Sequence, residues 1–175
     1  PGEIFTLLGD QSPDRIYQLN HARSTSGYFE RTNYDPATGQ AGRTPTSLGY
    51  EEGTPLTGFH YDSMEIYNGK RDEEFDPLFA DWLSLVAQGF RPAPTGTSDS
   101  HGSGSYPGSA RTYVWVGEER DDPGVFSASD IMQGVLSQRT LVVGGPFVEI
   151  WLMDIGGDPA NAVGVGQTLH EKGET

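Results

Sequence analysis

The chain has 175 residues, enough for one domain with a buried core, and its 11 basic and 25 acidic side chains give a net charge of −14. It contains no cysteine, which excludes disulfides, thiolate metal sites and cysteine nucleophiles. The negative charge argues against nucleic acid as a broad partner and against an anionic membrane, while 24 glycines and 12 prolines predict a loop-rich fold.

The first predicted element is a strand near residues 15–21, where apolar and polar residues alternate up to His21. The chain then changes character. Between residues 22 and 58, Leu48 and Leu56 are the only aliphatic residues larger than alanine. A stretch of this composition predicts a long surface insertion without regular structure, mobile or ordered only over a site.

A second strand is predicted at residues 63–67, before the turn residues Asn68-Gly69. A helix should follow, with Asp76 as N-cap, Pro77 in the first helical position and Gly89 at its end. Its apolar residues recur at a spacing of three and four, which is typical of a helix with one buried face.

Further strands are predicted near residues 93–98, 111–116 and 141–152, the last interrupted at Gly144 to Pro146. A second helix should begin at Ser127, where Ser-x-x-Asp resembles a capping box. Strands and helices that alternate in this way favour an α/β layer or barrel. The glycine-rich tail from Gly156 should be poorly ordered at its end.

Candidate site residues lie where these strands end. Asp99 and His101 are two residues apart at the end of an extended segment, so their side chains should point to the same side and could bind zinc, manganese or iron. A simple Asp–His hydrogen-bond pair is the competing interpretation. Glu65, between Met64 and Ile66, is an outward-facing strand residue on pattern alone, and a carboxylate ligand in the functional interpretation.

Other chemistries lack their motifs in this sequence. There is no Gly-x-Ser-x-Gly nucleophile elbow, and no glycine-rich phosphate loop followed by Lys and Ser or Thr. Of the remaining histidines, His60 should be structural or exposed and His170 should be exposed in the tail.

Four short segments, taken in order, resemble a known superfamily. They are Asn20-His21-Ala22-Arg23, then 64–69 (Met-Glu-Ile-Tyr-Asn-Gly), 96–101 (Gly-Thr-Ser-Asp-Ser-His) and 111–114 (Arg-Thr-Tyr-Val). Together they resemble the PHP-domain (polymerase and histidinol phosphatase) metal-dependent phosphoesterases, and among these the CehA/McbA-type metallohydrolases. One departure is Ala22, where proline is usual in the family.

The resemblance implies a distorted seven-stranded β/α barrel that holds two or three divalent metal ions (zinc, manganese or iron) at its strand ends. It implies an enzyme that hydrolyses phosphoester or related ester bonds with a metal-activated hydroxide. The implied metal ligands are His21, Glu65, Asp99 and His101. Asp99 and His101 would also act in catalysis with Arg111, and Arg23 and Arg111 would face a small-molecule ester or phosphoester substrate.

The family also carries a His-x-His pair on its first strand, and no His-x-His occurs in this chain. The chain therefore resembles the C-terminal part of such a barrel, over residues 1–150 with the insertion at 22–58, followed by a trailing strand and flexible tail over 151–175. Because it begins with Pro1, it is expected to be a processed product or a fragment. We expect it to be inactive alone, and to need the N-terminal half of the same protein or to self-associate.

Two non-catalytic hypotheses are also compatible with the sequence. The chain could be an extracellular binding module in which Tyr28, Phe29, Tyr34 and Tyr50 stack on a sugar, or a degenerate PHP scaffold kept for assembly. The sequence contains no signal or transmembrane segment, and leaves both a cytoplasmic and an exported location open.

Overall fold

The computed structural model describes residues 15–57, 59–69, 72–104, 106–120, 122–153, 156–157 and 159–169. These residues form a mixed α/β fold. In chain order, its strands and α-helices are β1 (Gln18–Leu19), α1 (Tyr28–Thr32), β2 (Tyr34–Asp35), β3 (Gln40–Ala41), β4 (Ser63–Asn68), α2 (Asp72–Ala87), β5 (Ala93–Thr97), β6 (Arg111–Val114), α3 (Ala128–Leu136) and β7 (Thr140–Val143).

A three-stranded parallel sheet in the order β1-β4-β5 forms the centre of the fold. Its middle strand, β4, is buried at every position except the half-buried Tyr67. Burial on both faces is typical of parallel strands, and it places Glu65 inside the protein. The outward-facing interpretation of Glu65 is therefore wrong: the residue is only 1% exposed.

Helix α2 connects β4 to β5 and begins at Asp72, four residues before the predicted N-cap Asp76. Pro77 lies inside the helix, not at its first position. The extra turn brings Phe75 into an aromatic row, because its ring stacks on Phe79 with centroids 5.5 Å apart. Pro77 cannot donate a backbone hydrogen bond at this position, and the Phe75–Phe79 stack adds an apolar contact in the same part of the helix. Gly89, just beyond the helix, has a φ of +88°, as the predicted C-terminal signal requires.

The segment 22–58 is not the structureless surface insertion that the sequence predicts. It contains α1 and the antiparallel pair β2–β3, and Phe29, Tyr34 and Leu56 are buried. The rings of Phe29 and Tyr34 stack with centroids 4.6 Å apart and join the main hydrophobic core. Aromatic side chains supply the apolar surface here that aliphatic residues supply elsewhere.

Strands β6 and β7 form a separate antiparallel pair, with Arg111 opposite Val143 and Val114 opposite Thr140. The predicted strand 141–152 is correct only at its start, since β7 ends at Val143 before Gly144, Gly145 and Pro146. Leu152 makes one isolated bridge, to Val163. The described residues contain three separate sheets and no closed barrel.

Candidate functional site

The parallel sheet brings three polar strand ends to one edge. His21 follows β1 by two residues, Asn68 is the last residue of β4, and Asp99 follows β5 by two residues. In parallel α/β sheets the carboxyl ends of the strands form the usual ligand-binding edge. The candidate metal ligands therefore meet because of strand order, although up to 80 residues separate them in sequence.

Glu65 is the centre of this cluster. Its Oε2 accepts a hydrogen bond from the backbone N–H of His21 at 2.8 Å and lies 3.0 Å from Nδ1 of the same residue. Its Oε1 accepts from Asn68 Nδ2 at 3.1 Å and from the hydroxyl of Thr97. A buried carboxylate needs such partners, and these contacts hold the ends of all three strands together.

His21 is fixed by these contacts in a specific orientation. Its Nδ1 also lies 2.8 Å from Asn68 Nδ2, so the side of the ring that faces inward is fully engaged. The opposite nitrogen, Nε2, lies 4.0 Å from Asp99 Oδ1 on the open side of the cluster. A carboxylate behind a histidine is the usual way to orient an imidazole toward a metal.

Asp99 and His101 do meet, but not by the strand geometry that the sequence suggested. Strand β5 ends at Thr97, and Asp99 has a φ of +44° in the turn that follows. His101 Nε2 and Asp99 Oδ1 form a hydrogen bond of 2.7 Å, which is the Asp–His pair of the competing interpretation, and the His101 side chain is 84% exposed. Asp99 Oδ1 thus lies within 4.0 Å of a nitrogen of both imidazoles.

Glycine at position 69 allows this turn to approach β4. A Cβ on Gly69 would lie 2.8 Å from the carbonyl oxygen of Ser98, and the residue has a φ of +54°. Its N–H donates to the Thr97 carbonyl at 2.6 Å. A larger residue would therefore push the Ser98–Asp99 turn away from Glu65 and His21.

The donor atoms are of the kinds that zinc and other transition metals bind, but their present spacing is not that of a metal site. Bonds of about 2.0–2.1 Å in a tetrahedral zinc site separate neighbouring donor atoms by about 3.3 Å. The distances from Asp99 Oδ1 to the two imidazole nitrogens, 4.0 and 2.7 Å, lie on either side of that value. As the side chains stand, no three acidic or imidazole groups among the described residues are arranged around one ion. The His101 ring is exposed and hydrogen-bonded to Asp99.

The two predicted substrate-facing arginines differ in their surroundings. Arg23 is turned inward: its guanidinium donates to both carboxylate oxygens of Asp81, at 2.5 and 2.7 Å, and to the Tyr34 carbonyl at 2.8 Å. Asp81 is fully buried. Burial raises the pKa of Asp81, and hydrogen bonding to Arg23 opposes that rise. The same pair raises the pKa of Arg23. These contacts give Arg23 a structural role.

Only the backbone of Arg111 lies near the end of β5. Its carbonyl oxygen is 3.4 Å from the point where a Cβ on Gly96 would stand, beside the end of β5. Its exposed guanidinium donates to the Gly145 carbonyl at 3.1 Å. Arg111 is therefore held toward the loop after β7, and not by any of the four candidate ligands among the described residues.

The sugar-stacking hypothesis loses most of its residues. Phe29 and Tyr34 are in the core, and the hydroxyl of Tyr28 donates to the Leu56 carbonyl at 2.5 Å. Only Tyr50 of the four rings is among the exposed large side chains. His60 is exposed, away from the cluster, and His170 lies outside the described residues.

Three polar residues have roles that sequence reasoning missed. Asn68 and Thr97 lie inside the motif segments, but only the fold shows that both bind Glu65. The burial of Asp81 could have been predicted from the sequence. It lies three residues after Leu78 and four before Leu85, on the buried face of α2.

No family model, curated protein or solved structure matches the chain. None of the helices in its described part is long and apolar enough to cross a membrane.

Proposed function

We propose that this chain is part of a metal-dependent hydrolase of phosphoester or related ester bonds. The observation that carries the proposal is the meeting of His21, Glu65, Asp99 and His101 at the carboxyl edge of the parallel sheet. Nitrogen and oxygen donors of this kind suit zinc, manganese or iron. The resemblance of the four motif segments to PHP-domain phosphoesterases agrees with that chemistry.

His21 Nε2, Asp99 and His101 would hold the ion, and Glu65, which the resemblance implies as a fourth ligand, would instead hold His21 from behind. A divalent cation supplies Lewis acidity and makes hydroxide available at neutral pH. The chain itself orients the donors: Glu65 fixes the His21 ring through Nδ1, and Asn68 and Thr97 fix Glu65. The open side of the cluster, where His101 is exposed, gives a substrate access.

Arg111 is the cation proposed to face the substrate. It lies beside the end of β5 and is exposed, whereas the guanidinium of Arg23 is occupied by Asp81. A planar guanidinium can bind two oxygens of a phosphoryl or carboxyl group. To do so, Arg111 would leave its hydrogen bond to Gly145 and its position over the Tyr113 ring, 6.0 Å from the centroid.

The fold is proposed to be the C-terminal part of a seven-stranded β/α barrel. The parallel strands β1, β4 and β5, which are neighbours in the sheet, agree with this, as does α2 as the crossover helix from β4 to β5. The resemblance calls for more metal ligands than the four present here. We therefore propose that the N-terminal half of the same protein, or a second copy of the chain, completes the site.

The test is to express the chain alone and joined to its N-terminal half. Bound zinc, manganese and iron are then measured together with hydrolysis of phosphomonoesters, phosphodiesters and aryl esters. We expect weak metal binding and no hydrolysis by the chain alone, and metal-dependent hydrolysis by the joined protein. A joined protein that folds and hydrolyses none of these esters would overturn the proposed function. A monomeric, metal-loaded and active chain would overturn the need for a second half.

A further inference from the structure

A second candidate site lies away from the strand-end cluster, in a groove of about 500 Å³ beside strands β6 and β7. Four aromatic residues line it, Tyr113, Trp115, Phe147 and Trp151, together with the cation Arg139. This volume falls within the usual range for small-molecule sites. The groove shares no residue with the candidate metal ligands, although the centroid of its Tyr113 ring lies 6.0 Å from the guanidinium carbon of Arg111.

Arg139 is held in place but has no hydrogen-bond acceptor among the described residues. Its guanidinium carbon lies 5.0 Å from the centroid of the Trp115 ring, and a Cβ on Gly166 would come within 2.4 Å of its Cγ. Its buried Nε has no hydrogen-bond partner, and no carboxylate of the described residues lies within ion-pair distance. In a chain with 25 acidic residues, this contrasts with Arg23, which binds Asp81 through two oxygens.

The aromatic rings around Arg139 are fixed while remaining open to solvent. Phe147 and Trp151 are 57% and 59% exposed. The Phe147 ring packs edge to face on Tyr113 with centroids 5.0 Å apart, and Trp151 Cζ3 lies 3.5 Å from the point where a Cβ on Gly164 would stand. Rings that are held by contacts on one side can accept a planar ligand on the other at low cost in side-chain entropy.

We propose that this groove binds a small planar aromatic carboxylate, with its carboxylate on the Arg139 guanidinium and its ring against Trp151 and Phe147. The planar guanidinium matches a carboxylate through two parallel hydrogen bonds. Glu118 and Glu149 also line the groove, and they disfavour a doubly charged phosphate more than a singly charged carboxylate. A cationic ligand could not use the face of the Trp115 ring that Arg139 already covers.

The test is calorimetric titration of the full chain with 1-naphthoate, its uncharged amide and 1-naphthyl phosphate. Naphthoate should bind saturably, and at least about tenfold more tightly than the amide or the phosphate. The amide has no charge to pair with Arg139, and the phosphate is repelled by Glu118 and Glu149. Arg139→Gln should remove this preference. Arg139→Lys keeps the charge without the planar fork and should retain part of it. Arg43→Gln, at an exposed arginine elsewhere, should leave binding unchanged.

Equal binding of naphthoate and its amide would overturn the proposal, as would unchanged binding by Arg139→Gln. Trp151→Ala gives a second variant at an exposed position, so a folding defect in Arg139→Gln would not hide the answer. Sedimentation velocity on the same samples tests whether a second copy of the chain occupies the groove instead. The opposing outcome is a chain that self-associates in a way that Trp151→Ala abolishes but naphthoate does not change. That result would assign the groove to a contact between copies of the chain and would overturn the ligand proposal.

Discussion

At the scale of single residues, Glu65 shows how a buried charge can organise a site. One of its oxygens contacts His21 after β1. The other accepts hydrogen bonds from Asn68 at the end of β4 and Thr97 at the end of β5. Desolvating a carboxylate is costly unless hydrogen bonds replace the lost water. The strand ends supply these bonds, and the same contacts direct His21 Nε2 toward Asp99.

Glu65→Gln should weaken zinc binding by about ten- to a hundredfold, the usual effect of losing a carboxylate that orients a metal-binding histidine. The substitution keeps the shape and removes the charge. Titration calorimetry with zinc would measure the change, with Glu51→Gln at an exposed position as the matched control. Equal affinity in the wild type and Glu65→Gln would show that Glu65 does not position His21 for a metal.

The Arg23–Asp81 pair should matter for stability. Arg23→Leu leaves the fully buried Asp81 carboxylate unpaired, which should lower the free energy of unfolding by about 3 kcal/mol. The double variant Arg23→Leu/Asp81→Leu should recover most of the loss because no buried charge remains. Urea unfolding measures both. A stable Arg23→Leu protein that has lost ester hydrolysis in the joined enzyme would instead return Arg23 to the substrate site.

At the scale of elements, a sequence motif predicted the structure correctly where the interacting residues are close together in the chain. The capping box of α3 is confirmed: the Asp130 N–H donates to the Ser127 hydroxyl, and the Ser127 N–H donates to the Asp130 carboxylate. The predicted start of α2 was wrong because Phe75 gains a ring contact that a capping rule cannot represent. In the segment 22–58, counting aliphatic residues hid Phe29 and Tyr34 as core residues.

The capping box should make the N-terminus of α3 less stable at low pH. Hydrogen bonds from Ser127 lower the pKa of Asp130 below its ordinary 3.8. When folding lowers the pKa of a carboxyl group, that group stabilises the protein at pH values above its unfolded-state pKa. The stabilisation is lost as the pH falls through its folded-state pKa. Asp130→Asn should therefore lower the Tm at pH 7 and differ less from the wild type below about pH 4. A Tm difference that is constant from pH 7 to pH 3 would contradict this.

The order inside segment 22–58 predicts where a protease cuts. Glu51 and Glu52 lie in an exposed stretch outside the helices and strands, whereas Glu30 lies in α1 between the buried Phe29 and Thr32. A glutamate-specific protease should cleave after Glu51 or Glu52 before it cleaves after Glu30, since cleavage requires local unfolding. Mass spectrometry of early time points would identify the first cut. A first cut after Glu30 would mean that α1 is not part of the stable core.

At the scale of the whole molecule, the sequence predicted the parts of the site better than their arrangement. Asp99 and His101 were predicted as ligands because they follow a predicted strand, and His21, at the end of the predicted strand 15–21, because of the resemblance. Their distances depend on the order β1-β4-β5 and on the close approach at Gly69, which are non-local. The apolar segment from Phe147 to Met153 was predicted as a strand, yet in the described residues it has no continuous strand partner.

The sharpest test of the proposed metal site is calorimetric titration of zinc into the chain and into Asp99→Ala and His101→Ala. We predict weak but saturable binding by the wild type, and a loss of at least about tenfold in each variant, because Asp99 Oδ1 lies between the two imidazoles. His60→Ala, at an exposed histidine outside the cluster, should behave as the wild type. Zinc binding that is absent in the wild type, or that is equal in the wild type and Asp99→Ala, would contradict a metal site at these strand ends.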